Sequence, residues 1–262
     1  MAKVVRIAAL GDLHCSKSSQ GTLQPLLAKA GESAELVVIA GDLTDYGLPD
    51  EARILARELT AVRVPVIAVL GNHDFESGKA DEVRHILGEG GTTILDGDIC
   101  ETHGIGIAGV KGFGGGFGQR ALAPWGETII KQFVHEAVDE ALKLETALAR
   151  IGSIPIVALL HYSPIVQTVE GEPLEIYPFL GSSRLEEPIN TYRVSLAVHS
   201  HAHRGHLEGK TAGGVPVYNV SMPLLARCFP DHPPFRLFDI PLSPLNDEPR
   251  EQPIASAAMS QA

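Results

Sequence analysis

Short apolar runs recur along the chain, and each is bounded by glycine, proline or polar residues. Runs of this length suit strands buried on both faces of a sheet and are too short for typical helices. The longest lie at residues 4–10, 36–40, 66–70, 154–160 and 194–198. Shorter strands are predicted at residues 93–95 and 104–109, and closing strands of a second sheet at residues 214–220 and 235–240.

Amphipathic segments lie between these runs. Their apolar residues recur every three or four positions, which is the spacing of one helix face. Helices are therefore predicted near residues 23–27, 49–59, 81–87 and 127–150. Pro49 suits the first turn of the second of these helices, where an N–H would have no partner in any case. The alternation of strand and helix through residue 70 predicts an α/β fold with parallel strands.

Polar residues with metal-binding or acid–base side chains directly follow several of the apolar runs. The carboxyl ends of parallel strands meet at one edge of a sheet, which is where α/β proteins place their sites. The residues after the first three runs are Asp12, His14, Asp42, Asp45, Asn72, His73 and Asp74. Those after two later runs are His161, His199, His201 and His203. Carboxylate, amide and imidazole groups together suit a metal ion, so the pattern predicts a metal centre with Asp42 in the middle.

Composition and charge narrow the class of protein. Hydrophobic residues make up 44% and charged residues 20% of the 262 residues, which is ordinary for a soluble globular protein. The formal net charge of −11 argues against nucleic acid or a membrane as a partner, since both need a basic surface. Three cysteines without disulfide or zinc-finger spacing, and no signal-peptide or membrane-spanning pattern, predict a cytoplasmic protein.

One domain is predicted over residues 1–240, followed by a tail at 241–262 whose Pro, Ser, Ala and Glu content is typical of disorder. Residues 165–190 are predicted to form a cap insertion over the site, because loops of that length in compact domains are usually functional or disordered. The glycine-dense segment 111–120 lacks the ending of a phosphate-binding loop. We favour a flexible surface loop here; the alternative is a lid in which Lys111 or Arg120 touches substrate.

Five motif blocks occur in a fixed order between residues 5 and 205. They are Asp12-x-His14, Gly41-Asp42-x-x-Asp45, Gly71-Asn72-His73-Asp74, His161 and His201-x-His203. In these blocks the chain resembles the calcineurin-like metallophosphoesterase family. The resemblance implies a four-layer α/β/β/α sandwich of two mixed sheets flanked by helices, with a dinuclear metal site at the carboxyl ends of the strands.

The resemblance also implies a role for each motif residue. One metal would be held by Asp12, His14 and His203, the other by Asn72, His161 and His201, and Asp42 would bridge them. His73 would act on the leaving oxygen, Asp45 would orient its imidazole, and Asp74 would make supporting hydrogen bonds. The two ions would be divalent or trivalent, and the donor set suits manganese, iron or zinc alike.

The last block departs from the family pattern Gly-His-x-His. Ser200 stands in the glycine position, and His199 precedes it. Two registers are therefore open, one with His201 and His203 as ligands and one with His199 and His201. The first is favoured because serine is the nearest small substitute for glycine, and it makes His199 a supporting or packed residue.

Substrate preference is inferred from the residue after the second block. Protein phosphatases of the family carry arginine there, whereas this chain has Tyr46. The motifs resemble more closely the bacterial class III cyclic-nucleotide phosphodiesterase branch. The hypothesis is hydrolysis of a small phosphodiester, with the water shared by the two metals as nucleophile. A phosphomonoesterase, a protein phosphatase or a metal-binding scaffold without turnover are the alternatives, and a homodimer is left open.

Overall fold

Two β-sheets lie face to face, with helices on both outer surfaces. The structure is a computed structural model that describes residues 3–192 and 194–242. The first sheet has the strand order β11-β1-β2-β3-β4, and the second has the order β5-β6-β7-β8-β10-β9. The strands of the first sheet are β1 Val4–Leu10, β2 Leu36–Ala40, β3 Val66–Val69, β4 Thr92–Leu95 and β11 Arg236–Pro241. Those of the second are β5 Asp98–Thr102, β6 Ile105–Gly109, β7 Ile156–Leu159, β8 Val194–His199, β9 Glu208–Lys210 and β10 Pro216–Asn219.

The helices connect the strands and cover the outer faces of the sheets. Within the described residues they are α1 Gln24–Glu32, α2 Pro49–Leu59, α3 Ala80–Glu89, α4 Thr128–Arg150, α5 Tyr177–Leu180, α6 Glu186–Thr191 and α7 Met222–Cys228. The apolar faces of α1, α2 and α3 pack on the outer face of the first sheet, and those of α4 and α6 pack on the outer face of the second. None of the described helices combines the length and the apolar character needed to cross a bilayer.

The two faces of each central strand are buried in different layers. In β1, Val5, Ile7 and Ala9 point into the space between the sheets, whereas Ala8 and Leu10 point toward the helices. This alternation follows from the two-residue period of a strand, and it explains why β2 and β3 are apolar at every position. The arrangement confirms the predicted α/β fold of four layers.

One strand assignment from the sequence is wrong. The pattern at residues 235–240 predicts a closing strand of the second sheet, but β11 pairs antiparallel with β1 at the edge of the first sheet. The apolar alternation of this segment specifies a half-buried strand without specifying its partner, because strand pairing here joins residues more than 200 positions apart. Two short polar strands, β5 and β9, were not predicted.

The parallel strands deliver the motif residues to one edge. Strands β1, β2 and β3 run parallel in one sheet, and β6, β7 and β8 run parallel in the other. The imidazole of His161, after β7, reaches the carbonyl of Ala40 at the end of β2 with 2.9 Å between Nδ1 and O. The carboxyl ends of both sheets therefore meet at the same place.

Most of the glycine-rich segment is packed in the interior, whereas a surface loop was favoured from the sequence. Its backbone is hydrogen-bonded to the predicted cap, with Gly115 N 2.6 Å from the carbonyl of Pro178 and Gly116 N 2.9 Å from that of Gly181. A Cβ at Gly114 would lie 2.5 Å from the Pro178 oxygen, so the glycine permits this close approach. The cap itself consists of short helical turns and α5.

The structure describes only the beginning of the tail predicted at residues 241–262. Pro241, the first residue of the predicted tail, still belongs to β11. The rest of that tail, from residue 243 onward, lies outside the described residues. The domain boundary at residue 240 stays a prediction.

Candidate metal centre

The acidic and imidazole side chains after the parallel strands form three groups that could each hold a metal ion. Within each group the nearest ligand atoms all lie within 4.8 Å of one another. The groups are Asp12 with His14 and His203, Asp42 with His161 and His201, and His14 with Asp45 and His73. Asn72 adjoins the second group, since its Oδ1 is 2.9 Å from Nε2 of His161.

The backbone at these positions is strained. Asp12, His14, Asp42 and His201 have positive φ angles of 58°, 42°, 46° and 69°. Residues other than glycine seldom adopt this left-handed region, and they keep it only where the surrounding structure forces it, most often at functional sites. Such strain at four of the converging residues indicates a site shaped for a ligand.

Glycines of the motifs allow the strand ends to approach one another. A Cβ at Gly41 would lie 2.5 Å from Nδ1 of His161, and one at Gly71 would overlap the carboxylate of Asp42. Gly41 also has a φ angle of 86°, which glycine adopts without steric cost. Side chains at either position would therefore push Asp42 and His161 apart.

Asp42 lies in the middle of the converging groups and is almost fully buried. Its Oδ1 accepts a hydrogen bond from the backbone N–H of His73 at 2.9 Å and lies 3.4 Å from Nε2 of His161. Its Oδ2 lies 3.8 Å from Nε2 of His14. Burial, together with the negative charge of Asp12, raises the pKa of Asp42 to about 6. A cation between the two carboxylates would relieve this repulsion.

Backbone carbonyls determine which nitrogen of two imidazoles is free to bind a cation. Nδ1 of His161 donates to the carbonyl of Ala40 at 2.9 Å, and Nε2 of His201 donates to the carbonyl of Phe179 at 3.1 Å. A carbonyl can only accept, so the opposite nitrogen of each neutral ring keeps its lone pair. Burial lowers the pKa of His161 to about 4 and that of His201 to about 3, so both rings are neutral at pH 7.

Asn72 and His161 therefore face each other with two acceptors. The lone pair on Nε2 of His161 points toward Oδ1 of Asn72 across 2.9 Å. Two lone pairs at this distance repel each other unless a cation lies between them. The contact fits two ligands of one metal ion.

Asp12 is held by groups from the end of β8. Its carboxylate accepts hydrogen bonds from Ser200 Oγ at 2.8 Å and from the backbone N–H of His201 at 3.0 Å, and Nε2 of His203 lies 3.2 Å away. Burial opposes ionisation of this carboxyl, but its hydrogen bond with His203 holds the pKa of Asp12 below the ordinary value. Asp12 is thus an ionised carboxylate in the interior.

His14 supplies the clearest sign that a ligand is required. Its Nε2 is buried and has no hydrogen-bond partner among the described residues. Its Nδ1 lies 3.4 Å from the carboxylate of Asp45. A buried polar atom without a partner costs about 1–3 kcal/mol, and a metal ion at this point would remove that cost. The residues present therefore fit the metals that the sequence predicts.

His73 and Asp45 interact through a different atom from the one expected. The sequence assigns the orienting role to the Asp45 carboxylate, but Nδ1 of His73 donates to the Asp45 backbone carbonyl at 2.7 Å. The carboxylate of Asp45 instead lies 3.4 Å from Nδ1 of His14. The side chain of His73 is 34% exposed and that of His203 is 40% exposed, so the centre opens to solvent here.

Asp74 connects the loops after β2 and β3 from below the centre. Its fully buried carboxylate accepts hydrogen bonds from the backbone N–H groups of Leu43, Thr44 and Gly71 and from the hydroxyl of Thr44, at 2.6–3.1 Å. These bonds hold the chain neighbours of Asp42 and Asn72 in place. The carboxylate of Asp74 itself is fully buried and does not reach the solvent-exposed side of the centre.

His199 lies behind the centre with both nitrogens engaged. Nδ1 donates to the carbonyl of Ser200 at 2.8 Å, and Nε2 lies 2.8 Å from the hydroxyl of Thr168. No lone pair is left for a metal, so this geometry favours the register with His201 and His203.

Two basic residues of the glycine-rich segment have different locations. Lys111 is buried next to Tyr162, whereas Arg120 is exposed in the short helical turn Gly118–Arg120. Among the described residues Arg120 makes no hydrogen bond or ion pair with the converging groups.

Several residues at the centre were not singled out by the sequence. The carbonyls of Ala40 and Phe179 orient two imidazoles, and a backbone carbonyl has no signature in a sequence. Ser200 was noted only as a substitute for glycine, although its Oγ contacts both Asp12 and His161. Its hydroxyl inside a motif block was the available signal.

Several solved structures share the fold of this chain. Among solved structures, the phosphopantetheinyl hydrolase of Mycobacterium tuberculosis is similar with a TM-score of 0.67 at 17% identity, covering 97% of this chain and 100% of that chain. TT1561 of Thermus thermophilus is similar with a TM-score of 0.50 at 16% identity, covering 92% and 100%. At such identities the similarity shows a common fold. No curated protein sequence gives a significant match.

A family model adds the sequence evidence. The model of the calcineurin-like phosphoesterases matches residues 5–205, which is most of the chain and includes every residue of the three groups. Members of this family use divalent metal ions, and the Asp and His groups could bind them. The chain therefore belongs to the calcineurin-like phosphoesterase family.

Proposed function

We propose that this protein is a dinuclear metal-dependent phosphoesterase that hydrolyses a phosphodiester. The observation that carries the proposal is the pair of candidate ligand groups on the two sides of one buried carboxylate, Asp42. Both groups include neutral or unpartnered imidazoles and a carboxylate, which is the donor chemistry of two adjacent divalent cations.

The residues of the centre divide into two ligand sets. One set is Asp12, His14 and His203, the other is Asn72, His161 and His201, and Asp42 is shared. When bound, the cations would polarise phosphoryl oxygens and lower the pKa of water at the site. The protein orients the ligands through the carbonyls of Ala40 and Phe179.

His73 is the residue placed to move a proton. With Nδ1 bonded to the Asp45 carbonyl, Nε2 is the nitrogen free to face a substrate at the open side of the centre. Burial lowers the pKa of His73, but the Asp45 carbonyl and the charge of Asp42 outweigh it and raise the pKa above the ordinary value. A protonated His73 in this position could give its Nε2 proton to the leaving oxygen.

The preference for a diester rests on charge. Two divalent cations with Asp12, Asp42 and a hydroxide leave about one positive charge, which balances a singly charged diester. Tyr46 stands where the resemblance to protein phosphatases requires arginine, so the additional positive charge that suits a monoester is missing there.

A pair of chromogenic esters tests the proposal. Metal-free protein is reconstituted with Mn²⁺, its metal content is measured, and turnover of bis(p-nitrophenyl) phosphate is compared with that of p-nitrophenyl phosphate. We expect faster turnover of the diester, and loss of turnover in His161→Asn. Faster turnover of the monoester would favour a phosphomonoesterase. Two bound metals without turnover of either ester would contradict the proposal in favour of a metal-binding scaffold.

A further inference from the structure

Lys111 places a cation among aromatic rings near the metal centre. Its Nζ lies 4.8 Å from the ring centroid of Phe113, 5.4 Å from that of Tyr162 and 5.6 Å from that of Phe75. Rings at these distances attract an ammonium group through their negative faces. The three rings come from the ends of β3, β6 and β7, so they hold Lys111 between the two sheets.

The ammonium of Lys111 is buried without an ion-pair partner. The residue is 9% exposed, and Nζ donates one hydrogen bond, to the carbonyl of Gly112 at 2.7 Å. Among the described residues no carboxylate oxygen lies within 4.0 Å of Nζ. The nearby carboxylate of Glu140 is engaged by Lys143 at 2.7 Å and by the N–H of Gly112 at 2.7 Å. Burial lowers the pKa of Lys111 more than the negative charges of Glu140 and Glu136 raise it, so an anionic ligand would add the charge compensation that these carboxylates do not supply in full.

The position of Lys111 adjoins the second ligand group. Its carbonyl accepts hydrogen bonds from the backbone N–H groups of His161 at 3.0 Å and Tyr162 at 3.1 Å. Phe75 follows Asn72 by three residues in the same turn. Burial is the main cause of the lowered pKa of His161, and the positive charge of Lys111 contributes to it. The cation thus acts on the same side of the centre as Asn72 and His161.

Phe75 offers an apolar surface beside this cation. Its side chain is one of the large hydrophobic groups that stay exposed, at 45%. Its ring centroid lies 5.6 Å from Nζ of Lys111, and Phe75 shares the short helical turn His73–Phe75 with His73. An exposed aromatic ring beside a phosphate-binding centre suits a flat or apolar substituent of the substrate.

We propose that Lys111 and Phe75 form a substrate subsite, with Lys111 binding an anionic oxygen of the ester and Phe75 packing on an aromatic or apolar ester group. The inference rests on the proposed function and adds a substrate class to it. The substrates would be phosphodiesters whose second ester group, the one that stays on the phosphate after hydrolysis, is aromatic or apolar. Phe113 and Tyr162 hold the ammonium in place from the protein side.

Substitutions of Lys111 test the cation. Lys111→Met keeps the length of the side chain and removes the charge, and Lys131→Met makes the same charge change at an exposed position of α4. In Mn²⁺-loaded protein we expect Lys111→Met to raise both the KM for bis(p-nitrophenyl) phosphate and the inhibition constant of inorganic phosphate about 10–100-fold, the effect of losing one charge-assisted hydrogen bond. The melting temperature should stay the same or rise, because an unpaired buried charge is removed, and Lys131→Met should change neither constant.

Two esters with the same leaving group test the ring. We expect Phe75→Leu to lower the ratio of kcat/KM for bis(p-nitrophenyl) phosphate to that for methyl p-nitrophenyl phosphate about 3–10-fold, and Phe75→Tyr to keep the ratio. A lower melting temperature of Lys111→Met with unchanged KM and phosphate inhibition would show a structural lysine and overturn the inference, while wild-type turnover would still support the proposed function. Absence of diester turnover in the wild-type protein would instead overturn the proposed function.

Discussion

Backbone carbonyls position the imidazoles of the centre. His161, His201 and His73 each donate one ring N–H to a carbonyl, from Ala40, Phe179 and Asp45. A carbonyl stabilises the neutral ring tautomer that exposes the other nitrogen, without adding a full negative charge. In the proposed metal centre these contacts limit negative charge to a few carboxylates.

His73 gives a prediction about catalysis. His73→Ala removes the proton that the leaving oxygen needs but none of the proposed ligands, so kcat should fall about 10²–10⁴-fold while metal content is retained. Steady-state kinetics and elemental analysis of the same samples measure the two effects. Unchanged kcat would contradict the role assigned to His73, and loss of metal would show that the residue is a ligand.

His199 gives a prediction about pH. Burial lowers its pKa to about 4, below the value of about 6.5 for an unfolded chain. Between these values the unfolded state binds a proton that the native state does not, so the free energy of unfolding falls as the pH falls. Well between these two pKa values the slope from this group is about 1.4 kcal/mol per pH unit.

The comparison is made on metal-free protein by urea denaturation. From pH 7.5 to pH 5.0 the wild-type free energy of unfolding should fall about 2 kcal/mol more than that of His199→Gln, which does not titrate. Parallel profiles would mean that His199 is protonated in the native protein.

Loops after neighbouring strands act as one unit at the scale of elements. The turns after β2 and β3 carry Asp42 and Asn72. The carboxylate of Asp74, in the second turn, accepts three hydrogen bonds from the first turn and one from Gly71 in its own turn. The spacing of the parallel strands β2 and β3 sets the distance between these turns. The hydrogen bonds of Asp74 fix the position of one turn relative to the other. Metal affinity should therefore depend on a residue that does not bind metal.

Asp74→Asn tests this connection. The test is made at pH 8, above the pKa of about 6 to which burial raises the Asp74 carboxyl, so that the wild-type side chain is ionised. Asparagine then offers one oxygen acceptor to the four donors that Asp74 serves, and its N–H₂ group points at another donor. The free energy of unfolding should fall by about 2–4 kcal/mol, and Mn²⁺ should bind more weakly. Asp139→Asn, at an exposed position of α4, should change stability by less than about 0.5 kcal/mol. Equal stability of the two variants in denaturant titrations would contradict the argument.

The proposed centre joins the two sheets at the scale of the whole molecule. Its residues follow β1, β2 and β3 in the first sheet and β7 and β8 in the second. Metal binding should therefore stabilise the packing of the sheets against each other, because the unfolded chain presents no preformed site.

Metal removal tests this expectation. At a free Mn²⁺ concentration of 100 times the Kd, binding adds about 2.7 kcal/mol, which corresponds to a rise in Tm of about 5–10 °C over chelator-treated protein. Thermal denaturation followed by circular dichroism measures the shift. His161→Asn, which lacks one ligand, should show a smaller rise, and an equal rise in both proteins would place the stabilising metal elsewhere.

The sequence by itself determined the layers and the identity of the converging side chains. Apolar runs such as Leu36–Ala40 mark strands buried on both faces, and polar residues directly after them must lie at the strand ends. These are local properties, so they can be predicted from neighbouring residues. Order along the chain then assigns Asp12, Asp42 and Asn72 to the same edge of parallel strands, and the family resemblance adds His161.

Only the tertiary structure decided the partner of β11, the packing of the glycine-rich loop on the cap, and the tasks of Ser200, His199 and Lys111. Strand pairing and the environment of a buried side chain depend on groups far away in sequence. A backbone carbonyl that orients an imidazole is present in every residue, so its role exists only once the chain has brought the two together.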